Sequence, residues 1–288
     1  MADGTGIQWT EATWNPVTGC SKVSAGCKFC YAEKMAERLK AMGAPGYAAG
    51  FDVTLQPDML DRPLRWRRPR LIFVNSMSDL FHELVPEDYV ARVFDVMARA
   101  PQHTFQVLTK RAARLAELAP RLPWPDNVWM GVSVEDQRGT AERIPFLLSV
   151  PAAVRFLSME PLLGPVALDL RERWDGGCPG GCLGSDLHTA QDGAERCRRC
   201  GYPLGGTPRP PLDWLIVGGE SGPGARPMAV EWAADILRQA QAADVPVFVK
   251  QLGAVWARQN GARHQKGGEP VEWPEHLRVR AMPARRTT

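Results

Sequence analysis

The 288-residue sequence has no apolar run near the ~20 residues that a membrane-crossing helix needs. Its first residues hold no apolar core of the secretory type. Both absences exclude a membrane partner as an expectation and predict a cytoplasmic protein. There is no internal repeat and no low-complexity tract, which excludes solenoid and fibrous classes. Charge of one sign is scarce as well. The formal net charge is only +3, which neither demands nor excludes a nucleic-acid partner.

What remains is ordinary for a soluble globular chain: 44% hydrophobic and 23% charged residues, with 25 prolines and 27 glycines suited to tight loops. The seven cysteines are the exception. In a reducing compartment, thiols in this number favour metal ligation over disulfides.

Three of them, Cys20, Cys27 and Cys30, fall within a short stretch, Gly19 to Tyr31. Structural zinc usually takes four protein ligands. Three thiolates on one loop leave a metal position open, a property shared by a cubane of iron and sulfur held by three cysteines. The competing readings are a zinc site completed by His82 or His103, and ordinary buried thiols.

The tail Cys27-Lys28-Phe29-Cys30 resembles the radical S-adenosylmethionine (SAM) superfamily, which carries two cysteines two residues apart with an aromatic residue before the last. The usual spacing between the first two cysteines is three residues, whereas here Ser21 to Gly26 intervene. The wider string from Trp14-Asn15-Pro16 through Gly19-Cys20 to Cys30-Tyr31-Ala32 is similar to a phage- and bacteria-associated family grouped with those enzymes.

The resemblance implies a 4Fe–4S cluster on Cys20, Cys27 and Cys30, and SAM as cosubstrate. It also implies an electron donor such as flavodoxin or ferredoxin. Reductive cleavage of SAM would then yield a radical acting on a substrate that the motif does not name, a nucleic acid or nucleotide being one expectation. Aminocarboxypropyl transfer is a variant within the class. The rival from another class is a zinc-containing nucleic-acid-binding module without catalysis.

Along the chain, apolar runs and helical periodicities alternate. Strands are expected over Ile7–Pro16, Phe51–Leu55, Leu71–Asn75, Thr104–Leu108, Val128–Val134, Val154–Met159, Trp214–Val217 and Val245–Lys250. Helices are expected over Lys28–Met42, Glu87–Arg99, Arg111–Ala119, Asp136–Leu148 and Ala229–Ala243. In the first helix Tyr31, Met35 and Leu39 recur at i, i+4 and i+8. This is an α/β pattern of about eight βα units, read as a full or partial (β/α) barrel over residues 1–173 and 211–288. Radical SAM proteins share that architecture, with the cysteine loop after the first strand.

Reactive groups in such barrels gather at the C-terminal strand ends. Here those ends carry Asn75, Ser76 and Asp79, then Thr109 and Lys110, then Ser133 and Glu135, then Glu160, Glu220 and Lys250. Ser78 and Asp136 also fit helix caps. Glu160, Glu220 and Lys250 are the candidate catalytic residues. Asn75, Ser76, Asp79, Ser133 and Glu135 are candidate cofactor contacts, and the motif's Phe29 is a candidate adenine contact. Gly218-Gly219-Glu220 resembles a string that contacts the SAM amino group in the superfamily, although it follows a different strand here.

A second set, Cys178, Cys182, Cys197 and Cys200, pairs a C-x3-C with a C-x2-C. Four thiolates in two close pairs match tetrahedral zinc, with a second iron–sulfur cluster as the alternative. The surrounding segment, 174–210, is rich in glycine and reads as an inserted zinc-ribbon-like module that a metal must hold. Arg65 to Arg70 with Trp66, together with Arg196, Arg198 and Arg199, could meet phosphates. The simpler reading of the first stretch is a solvated loop.

Overall fold

A computed structural model describes residues 5–171, 173–174, 187–189, 195–197 and 208–284. Its centre is one parallel sheet whose strands follow chain order: β1 (Ala12–Trp14), β2 (Leu71–Val74), β3 (Thr104–Thr109), β4 (Val128–Ser133), β5 (Val154–Met159), β6 (Trp214–Gly218) and β7 (Val247–Gln251). The helices are α1 (Tyr31–Ala41), α2 (Glu87–Ala98), α3 (Ala112–Leu118), α4 (Gln137–Leu148), α5 (Val230–Ala242) and α6 (Ala254–Gln259). The sheet curls into a half-barrel.

Among the described residues the main sheet has seven strands, where about eight βα units were expected. Of the stretch Phe51–Leu55, only Thr54–Leu55 is a strand. It pairs antiparallel with Val17–Thr18 in a separate two-stranded sheet.

Strand alternation divides the apolar residues between two faces. One set, with Ile72, Val74, Val107, Met130, Leu157 and Val249, packs in a core with Val93, Phe94 and Met97 of α2 and Ile236 of α5. The other face is floored by Trp9, Trp129, Phe156, Trp214, Ile216 and Phe248. Trp214 is its hub, with ring centroids of Trp9, Trp129, Phe156 and Phe248 at 6.0, 6.2, 5.6 and 6.3 Å. Gly131 makes room for this floor, since a Cβ there would lie 2.4 Å from the Phe156 ring. Counting by twos from these rings toward the C-terminal ends brings Ser133, Ser158, Gly218 and Lys250 to the same face. The floor is apolar and the rim above it is polar.

The outer edge of β7 is covered. Val249 N donates to Val279 O at 2.9 Å and Ala281 N to Val247 O at 2.9 Å. The Arg280 guanidinium lies over Phe248 and Trp273 at 5.5 and 5.2 Å. Covering a strand edge removes unpaired backbone groups that would otherwise recruit other chains.

Helix α1 departs from its expected stripe. Ala32 and Ala36 are buried, with Leu39 packed beside them, whereas Tyr31 and Met35 are exposed. Small residues let the helix lie close to Met77 and Phe51.

Between β5 and β6, Arg173–Trp174 pairs antiparallel with Pro208–Arg209, and Leu187–Thr189 with Glu195–Cys197. Cys178, Cys182, Cys200 and the side chain of Cys197 lie outside the described residues, and so does the expected zinc site. Among the described residues, no helix is long and apolar enough to cross a membrane.

Candidate functional site

The first three cysteines leave the C-terminal end of β1 on a firmly tied loop. Asn15 Oδ1 accepts from Met77 N at 3.1 Å and from Ser76 Oγ at 3.2 Å, which joins this strand end to that of β2. Gly19 N donates to Met77 O and Cys20 N to Phe51 O, at 3.0 and 3.1 Å. Only glycine suits position 19. Its φ is +80°, and a Cβ would fall 2.1 Å from Asp52 O. The loop then makes a 3-10 turn at Ala25–Cys27, and Cys30 immediately precedes α1. All three cysteines are half-buried and none is in a disulfide.

Glu135, two residues beyond β4, anchors the middle of the loop. Its Oε1 accepts from Ser24 Oγ at 2.6 Å and lies 3.4 Å from Lys110 Nζ, while Oε2 accepts from Arg143 Nη1 at 2.7 Å. Gly26 lies directly against the carboxylate, because a Cβ there would be 2.5 Å from Oε1. Burial alone would raise the Glu135 pKa, but Lys110, Arg143 and the Ser24 hydroxyl outweigh it and hold the carboxyl below its ordinary range.

Arg111, at the start of α3, anchors the beginning of the loop. Its Nη1 approaches Cys20 Sγ at 3.4 Å and Asp79 Oδ2 at 3.3 Å. Its Nη2 donates to Ser21 Oγ at 2.8 Å, and Nε lies 3.1 Å from each Glu83 oxygen. Ser21 Oγ also meets His82 Nε2 at 2.8 Å, while His82 Nδ1 accepts from Leu84 N at 3.1 Å. Burial, then Asp79, push the Cys20 thiol up to about 11 against the opposing pull of Arg111. Cys27 goes the other way: burial would raise it, but backbone hydrogen bonds, the Ser24 hydroxyl and Lys110 together lower it.

The third anchor is Phe29. A Cβ on Gly224 would be 3.1 Å from its ring, and Arg226, Lys28 and Lys34 lie over it at 5.5, 5.3 and 5.7 Å. Arg226 in turn grips Glu220, with Nε to Oε2 at 2.8 Å and Nη2 to Oε1 at 2.5 Å. Burial opposes ionisation of Glu220, yet Arg226 holds its pKa below the usual value. Across β6, Lys250 Nζ meets both Glu160 oxygens at 2.6 and 2.9 Å. That pair is about one-fifth exposed, at 18% and 21%.

Thus the structure brings Cys20, Cys27, Phe29, Asp79, Glu135 and Glu220 into one connected set of loops, with Glu160 and Lys250 paired on the same strand-end rim. Asp79 is already saturated. Its oxygens accept from Phe81 N, Thr109 Oγ1, Lys110 N and Arg111. Ser76 Oγ is held by Asn15, and its carbonyl accepts from Tyr31 Oη at 3.1 Å. Asn75 is buried with a φ of +60°, and neither atom of its side-chain amide has a partner. Ser133 is buried at the end of β4, and its carbonyl accepts from Arg143 at 2.6 Å.

Two alternatives narrow. His103 sits at the opposite, N-terminal end of β3, where Nε2 meets Pro63 O at 3.1 Å, so it cannot complete a site with the cysteines. The basic stretch is at that far end too, running into the start of β2, with Arg62 and Arg70 over the Trp66 ring at 5.9 and 5.2 Å. As the side chains lie, no three His, Cys, Asp or Glu residues among those described converge tightly enough to hold a metal ion.

Residues 4–278 match a family described as a protein of unknown function, DUF5131. The chain belongs to that family. No curated protein and no solved structure matches it. In this DUF5131 chain, sequence reasoning missed Arg111, Arg143 and Arg226, the three cations that fix the cysteine loop and its neighbours. The only hint was Arg111 directly after the strand-end pair Thr109-Lys110.

Proposed function

We propose that the chain is a radical SAM enzyme whose cysteine loop carries a 4Fe–4S cluster. The observation that carries this reading is the loop itself. Three disulfide-free, half-buried thiols follow the first strand of a parallel half-barrel, tied to the strand-end residues Arg111 and Glu135. The donor set fits such a group chemically, since three thiolates on one loop suit a cluster that keeps an open iron. When bound and reduced, that cluster supplies one electron to break a carbon–sulfur bond of SAM.

The chain's own residues have separable tasks in this reading. Arg111 and Glu135 fix the loop at both ends of its first half. Phe29, flanked by cations, offers a flat apolar ring to adenine. Asn75 offers an amide with unmet hydrogen-bonding capacity. Glu220 acts through Arg226 as a positioning residue, and Asp79 and Ser76 frame the loop. Glu160 and Lys250 are the pair available to a substrate. The aromatic floor beneath keeps water from reaching the mouth from below.

The test is oxygen-free purification of the full chain with iron and sulfide analysis, followed by SAM and a chemical reductant. Formation of 5′-deoxyadenosine supports the reading. Methylthioadenosine would redirect it to aminocarboxypropyl transfer, and an iron-free, colourless protein would overturn it.

A further inference from the structure

Arg111 is buried, with a side-chain exposure of 5%, and among the described residues it is the one that touches both a cysteine sulfur and two carboxylates, Asp79 and Glu83. We propose that Arg111 is a positioning residue for Cys20, holding its sulfur by an N–H···S contact and setting how easily a cluster on the three thiolates is reduced. This rests on the reading above.

The arrangement is more than structural support for Asp79. That carboxylate already accepts from Phe81 N at 3.0 Å, Thr109 Oγ1 at 2.7 Å and Lys110 N at 3.0 Å. The fork of Arg111 is aimed past it, at Cys20 Sγ and at both oxygens of Ser21. His82, with its Nδ1 occupied by Leu84 N, presents Nε2 to the Ser21 hydroxyl and keeps that hydroxyl in place. Hydrogen bonds to sulfur and net charge are the main levers on iron–sulfur potentials. A donor on Cys20 favours the more negative, reduced state. Glu83 opposes it by partly neutralising the same guanidinium, and it does so from an exposed position, 63% accessible.

The two partners therefore predict opposite signs. Anaerobically reconstituted full chains of wild type, Arg111→Lys, Arg111→Met and Glu83→Gln are titrated potentiometrically, with the reduced cluster read by electron paramagnetic resonance. Loss of the N–H···S contact is expected to lower the reduced-to-oxidised ratio at least tenfold at fixed potential, about 59 mV for one electron. Glu83→Gln shifts the ratio the other way. Iron at wild-type stoichiometry with an unmoved midpoint in the Arg111 and Glu83 variants would overturn the proposal. If Arg111 variants do not fold, the sign for Glu83→Gln decides it.

Should the wild type bind no iron, the radical SAM reading fails on its own. The positioning role is then read from the metal-free chain. Alkylation of Cys20 at fixed pH, mapped by peptide, is expected to slow at least fivefold in Arg111→Met, which removes the cation that favours the reactive thiolate, and to stay unchanged if Arg111 does not hold the sulfur.

Discussion

Replacing Glu135 with alanine removes the carboxylate on which the middle of the cysteine loop rests. The residue is 3% exposed. The change deletes contacts to Ser24 Oγ at 2.6 Å and Arg143 Nη1 at 2.7 Å, and leaves Lys110, now at 3.4 Å, without its partner. Breaking a buried pair by truncating one member costs about 3–5 kcal/mol, because the other charge stays desolvated. That is a fifth or more of a typical domain's stability of about 5–15 kcal/mol. Glu135→Gln keeps the shape and an acceptor for Ser24 but loses the charge, so a smaller cost of about 1.5–3 kcal/mol is expected. Urea denaturation measures both. The loop supplies an independent reading. Ser24 and Gly26 flank Ala25, and Cys27 follows them, whereas Cys20 is held by Arg111. Alkylation of Cys27 in the alanine variant is therefore expected to accelerate more than alkylation of Cys20. A loss below about 1 kcal/mol with both alkylation rates unchanged would refute the anchoring argument.

Other consequences follow from the same contacts. Gly19→Ala is expected to cost about 2 kcal/mol or more by thermal or urea melting, since a left-handed L-residue alone costs roughly 1–2 kcal/mol and its Cβ would meet Asp52 O at 2.1 Å. Stability should fall in acid in two windows. Burial and Arg111 lower the His82 pKa from its ordinary 6.5, so its contribution is full above that value and is lost as pH falls through the lowered one. Glu135, lowered from 4.5, contributes fully above 4.5 and loses that contribution further into acid. Glu220 is lowered in the same sense, so urea midpoints read between about pH 7.5 and 3.5 should show both steps, and Glu135→Gln should shrink the lower one while leaving the upper one in place.

The sheet was legible because each central strand is a short apolar run closed by polar or glycine residues, as in Leu71–Asn75 and Trp214–Gly218. The segment Phe51–Leu55 has the same local look, yet its destiny depends on pairing with Val17–Thr18, which no local pattern encodes. Helix α1 misled for a related reason. Tyr31 and Met35 carry the larger apolar surface, but the close approach of Met77 buries the alanines instead, with Leu39 beside them. The strand-end residues were findable as polar exceptions after apolar runs. Their partners were not, because a sequence does not say which of 35 Lys and Arg residues folds back onto a given carboxylate. Asp79 and Glu220 looked like ligand contacts for that reason, and the structure gives both their cations from within the chain.

The most direct measurement is iron and acid-labile sulfide in chains purified without oxygen, compared between wild type and the triple variant Cys20→Ser, Cys27→Ser, Cys30→Ser. The account predicts about four irons per wild-type chain attributable to these thiolates and their loss in the variant. Equal iron in the two proteins, or none in the wild type, would contradict it.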